Sequence, residues 1–82
     1  MPFNTWLTTQ VDRDDDVGLI ARFAVRGVRD WPRDRHVKLA TLRLYLRCQV
    51  GFWPEGLRTL DDALVRARCE WRAERWPVRA AA

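Results

Sequence analysis

Apolar residues recur along this chain at helical spacing. Phe3, Trp6, Leu7 and Val11 fall at i, i+3, i+4 and i+8, one face of a short helix over residues 3–10. Pro2 suits its start, where a missing N–H is harmless. Asn4, Thr5, Thr8, Thr9 and Gln10 are expected to face water. Such a helix is too short to persist alone, so its aromatics must be held by packing.

A second helix is predicted over 15–27. The run Asp12-Arg13-Asp14-Asp15-Asp16 supplies carboxylates that accept orphan N–H groups and complement the positive helix end. Val17, Ile20, Phe23, Ala24 and Val28 form its apolar side, Arg22, Arg26 and Arg29 the opposite stripe, and Gly27 its stop. Between Leu42 and Val50 two periods compete. Strict alternation with Arg43, Tyr45, Arg47 and Gln49 fits a strand, whereas Leu39, Leu42, Tyr45, Leu46 and Val50 fit a helix. The helix, over 36–49, is the better reading, because a lone strand leaves its backbone groups without partners. It leaves Leu44 partly exposed.

The last segment, 55–75, carries a heptad seam of Leu57, Leu60, Leu64, Ala67 and Trp71. Pro54 opens it and Pro77 ends it after Trp76. Arg58, Asp62, Arg66 and Glu70 are spaced as an i, i+4 ladder, and Arg68, Arg72, Arg75 and Arg79 form a second stripe without acidic neighbours at Arg68 and Arg72. Trp31-Pro32 and Trp53-Pro54 mark the connectors, since a residue before Pro is pushed out of the helical region. The core is expected to hold Trp6, Leu7, Ile20, Phe23, Leu42, Leu46, Leu60, Leu64 and Trp71.

These elements make an all-α domain over 1–79 with a disordered tail over 80–82. At 82 residues the chain removes only roughly 60–65% of its unfolded surface from water, which excludes a two-domain enzyme with a deep cleft. Apolar runs of a few residues fall far short of the ~18 that cross a bilayer, and Met1 to Gln10 has no signal-peptide pattern. A cytoplasmic protein without a membrane partner is expected.

Charge is unevenly placed. The net +4 rests on 14 arginines and Lys38. Up to Asp34 there are five Arg against six Asp, and beyond it ten basic against five acidic residues, so an anionic partner would be drawn to the C-terminal half. Cys48 and Cys69 form no CxxC pair and read as semi-buried thiols. Asp12, Asp14 and Asp16 alternate as in a calcium loop, yet Val17 stands where that loop needs Gly and Phe23 where it needs Glu. His36 lies twelve residues from Cys48, about 18 Å along one helix, which rules out that nucleophile pair and leaves only Cys69, for which no orienting group or pocket is signalled. No catalytic residue, metal, cofactor or small-molecule substrate is implied.

The order Phe3, Trp6-Leu7, Gln10, Asp12-Arg13-Asp14-Asp15, then an apolar run after Gly18, Asp30-Trp31-Pro32, Tyr45-Leu46 and Ala63-Leu64 to Trp71 resembles the YozE-like family of small bacterial proteins. The resemblance implies a compact four- or five-helix bundle similar to the sterile alpha motif, and no reaction. Phe52, Trp53 and Trp76 lie at predicted helix ends beside arginines, the composition of an interaction surface, and equally of a satellite cluster that closes a small bundle. The expected function is therefore a non-catalytic module that binds a protein partner or itself through Phe52, Trp53 and Trp76. The alternative is a nucleic-acid-binding module using Arg68, Arg72, Arg75 and Arg79, with Arg43 and Arg47 adjacent.

Overall fold

A computed structural model of the chain describes residues 1–27 and 30–75. The domain is all-α: α1 spans Phe3–Thr8, α2 Asp16–Arg22, α3 Leu39–Val50 and α4 Pro54–Arg75, and a π-helical turn, Phe23–Gly27, continues α2. No strand occurs among the described residues, so the Leu42 to Val50 segment is helical.

Local chemistry explains the boundaries. The α1 helix stops at Thr8, two residues earlier than its periodicity suggests. The Thr8 hydroxyl donates to the Asn4 carbonyl (2.9 Å) and that of Thr9 to the Trp6 carbonyl (2.6 Å), closing the last turn. From the acidic run, Asp15 becomes the N-cap of α2 and accepts the Gly18 N–H at 3.1 Å. The start of α3 is corrected from residue 36 to Leu39. Val37 is buried and donates its N–H to the Asp34 carbonyl in a turn, while the Val37 carbonyl accepts from Arg68 at 3.1 Å, so this stretch is drawn onto α4. The end of α4 at Pro77 lies outside the described residues, as do Trp76, Arg79 and the 80–82 tail.

One core serves the whole domain. Leu60, Ala63, Leu64, Ala67 and Trp71 line the inner side of α4 and meet Val17, Ile20 and Ala21 of α2 and Leu42 and Leu46 of α3. Phe23 is only half-buried, a correction to its place in the expected core. Trp31, 3% exposed, takes that place. Its ring meets Phe23 (6.4 Å) and Tyr45 (5.7 Å) edge-on, and its indole N–H donates to Asn4 Oδ1 at 2.9 Å. Asn4 also donates to the Pro32 carbonyl at 2.7 Å, so it ties α1 to the connector instead of facing water. Both cysteines are exposed, not semi-buried, because neither lies on its helix's inner face.

Candidate interaction surface

Among the described residues, the α3–α4 turn, residues 51–53, presents the largest exposed apolar side chains. Phe52 is 85% and Trp53 56% exposed. Trp53 packs over Gly56, where an added Cβ would run into the indole, so glycine at that position lets the ring lie flat on the first turn of α4. Beside it runs an apolar groove of about 350 Å³, with Leu19 and Phe23 on one wall and Val50, Trp53 and Leu60 on the other. On the opposite flank, Arg43, Arg47 and Arg58 line a second hollow together with one carboxylate, Asp61.

The predicted arginine stripe does not form one surface. Arg43 is held by Asp61 through two bonds, 2.8 and 2.9 Å, and that carboxylate raises its pKa. Arg47 stands exposed beside it. Arg58, which sequence reasoning assigned only to a helix ladder, joins them. Arg68 lies ten residues further along α4, about 15 Å away. It is partly buried, not exposed as expected: its guanidinium sits 5.0 and 4.9 Å from the Phe3 and Trp71 ring centres and donates to Val37. Arg72 is exposed. The Arg75 side chain lies, with Arg79 and Trp76, outside the described residues.

The Arg58–Glu70 ladder is likewise replaced by a tertiary network. Only Arg66–Glu70 (3.1 Å) pairs along the helix among the described residues. Arg13, on the α1–α2 connector, bonds Glu70 at 2.8 Å and also Asp15, and Arg66 reaches Asp15 at 3.3 Å. Hydrogen bonds from Arg13 hold both carboxyls below their ordinary values, for Asp15 with help from the Gly18 N–H. Because the folded values are depressed, the pairs favour folding above pH 4.5 and 3.8, the ordinary values of Glu and Asp, and lose that effect as pH falls through the folded ones. Arg13→Gln is expected to shrink the gap between melting temperatures at pH 7 and pH 3. An unchanged gap would show that the network does not couple folding to acid.

Elsewhere, no group of three metal-ligating side chains occurs among the described residues, and no described helix is long and apolar enough to cross a membrane. No family model, curated protein or solved structure matches this chain.

Proposed function

We propose that this chain is a non-catalytic helical interaction module that docks an acidic, amphipathic segment of another protein on the Phe52–Trp53 turn. The exposed aromatic pair carries this reading, with an apolar groove on one side and a basic hollow on the other. Aromatic anchors and arginines dominate binding energy at such surfaces. The occupant's apolar residue would fill the groove while its carboxylates meet Arg47 and Arg58, which have no ion pair among the described residues.

A second copy fits less well. The exposed parts of Phe52 and Trp53 amount to roughly 300 Å² at ~150–250 Å² per aromatic side chain. Two copies face to face would bury about 600 Å² there, half or less of the ~1,200–2,000 Å² of a stable interface. Their basic flanks would also repel.

Binding along a duplex is the weaker alternative, since Asp61 neutralises Arg43, and Arg68, held against Phe3, Trp71 and Val37, lies about 15 Å along α4 from Arg58, so these cations do not form one continuous surface. Membership of the YozE-like family, with its bundle similar to the sterile alpha motif, is proposed on the residue order from Phe3 to Trp71. A cytoplasmic setting suits the exposed thiols of Cys48 and Cys69.

Selection from a random peptide library on the intact protein tests the docking reading. Enriched peptides are expected to carry an aromatic or aliphatic anchor beside Asp or Glu. Their affinity should fall about tenfold or more on Trp53→Ala, a loss of ~1.4 kcal/mol. Peptides indifferent to Phe52→Ala and Trp53→Ala would overturn the proposal. So would a dimer in sedimentation that dissociates on Phe52→Ser, which would assign the surface to a second copy.

A further inference from the structure

At the far end of α4 from that turn, a cavity of about 240 Å³ opens where the chain's first residues, the 34–38 connector and α4 meet. Its wall includes Phe3 and Trp71, the Val37 backbone, and three basic side chains, Arg35, His36 and Arg68, with no carboxylate among its lining residues. Arg68 is the central group. Two aromatic rings and one carbonyl hold its guanidinium in place, so its orientation is set before any ligand arrives. A guanidinium offers five N–H donors, and the bond to Val37 uses one of them. Among the described residues no carboxylate pairs with it. Burial first, and nearby Arg72 second, hold its pKa below the ordinary value, as expected of a desolvated cation without a counter-charge.

We propose that this cavity binds a phosphoryl group, the dianionic end of a small phosphate monoester, with Arg68 as the fixed fork and Arg35 and His36 closing over it. Charge and size both point to this class. A monocarboxylate needs one bidentate arginine, whereas three basic groups around one hollow suit a dianion with three acceptor oxygens. The volume lies below the ~300–1,000 Å³ of pockets that enclose a whole drug-sized ligand, and so matches an anionic head whose remainder lies outside. Neither Arg35 nor His36 belongs to the arginine stripe, and the site is independent of the Phe52–Trp53 surface.

Titration of the isotope-labelled protein with inorganic phosphate, adenosine monophosphate and acetate, at constant ionic strength, tests the inference by NMR. Saturable shifts are expected at Arg35, His36, Val37 and the Arg68 side chain with phosphate and with the monophosphate, and none that saturate with acetate. Tighter binding of the monophosphate would identify an organic monoester as the ligand, and equal binding free phosphate. Arg35→Ala and His36→Ala alter exposed connector residues and should keep the native spectrum elsewhere while weakening binding about threefold to tenfold each. Trp53→Ala should leave phosphate binding unchanged. Equal response to acetate, or indifference to both connector variants, would overturn the proposal. A duplex that displaces phosphate and binds more tightly would do so too, reassigning the cavity to a nucleic-acid backbone.

Discussion

Leu64→Ala is expected to lower the unfolding free energy by about 3–4 kcal/mol, within the ~2–5 measured for buried Leu-to-Ala changes. Leu64 is fully buried midway along α4, among other side chains with no exposed surface: Ile20 and Val17 from α2, Leu42 and Leu46 from α3. Residues on three helices surround the site, so no one element can relax inward to fill the hole, and the cavity cost adds to the lost transfer energy. A domain of this length has a total stability of about 4–12 kcal/mol, so the loss is about a quarter of it or more, and the melting temperature should drop by about 15–25 °C. Phe23→Ala provides the contrast. Phe23 is half-buried at the groove wall, and its truncation should cost about 1–2 kcal/mol although a larger side chain is removed. Urea denaturation of both variants decides the matter; a Phe23 loss equal to or above that of Leu64 would contradict the described packing.

Gly18→Ala should destabilise the domain by about 2 kcal/mol, against the usual rule that alanine for glycine inside a helix gains up to ~1 kcal/mol. The reason is contact rather than backbone conformation, since no glycine among the described residues has a positive φ. An added Cβ at Gly18 would overlap the carbonyl of Arg13, which is backbone and cannot swing aside. That carbonyl also accepts from Arg22 Nη1 at 2.8 Å, and the same nitrogen holds the Val11 carbonyl at 2.8 Å. Pushing Arg13 outward would therefore loosen the connector and draw its guanidinium away from Asp15 and Glu70. Thermal melts of Gly18→Ala and Gly18→Ser read the effect, with Ser at least as damaging. A stabilised alanine variant would show that the connector does not approach α2 this closely.

Most of the fold was legible in the sequence, for reasons that differ between elements. A 3.6-residue apolar period records which side of a helix must leave water, so the α4 seam of Leu60, Leu64, Ala67 and Trp71 was readable before any neighbour was known. That the acidic run over 12–16 opens and caps a helix was readable from its carboxylates, whereas the choice of Asp15, which accepts the Gly18 N–H, came from the structure. The helical state of 39–50 needed a global argument, the absence of a second strand. At the surface, the position of Phe52 and Trp53 at helix ends left two readings open, exposed anchors or a cluster closing the bundle, and the structure, with Phe52 85% and Trp53 56% exposed, decided between them.

What the tertiary structure alone decided is where each cation goes. Arg68 and Arg72 look alike in the sequence, four residues apart on one stripe, yet Arg68 lies over Phe3 and Trp71 because α1 crosses α4 at that point, while Arg72 remains in solvent. Ion pairs set by distance in space are added to those set by helical spacing: Glu70 keeps its partner four residues before it on α4, and its second pairing, with Arg13, spans 57 residues. Arg35 and His36 carry no sequence signal for a shared cavity, because their relation to Arg68 exists only once Val37 is drawn onto α4. Hydrophobic period is a local property of the chain and survives in the sequence. The meeting of charges depends on the path of the connectors, which is set by the packing of the aromatics and is written nowhere in the spacing of the charges themselves.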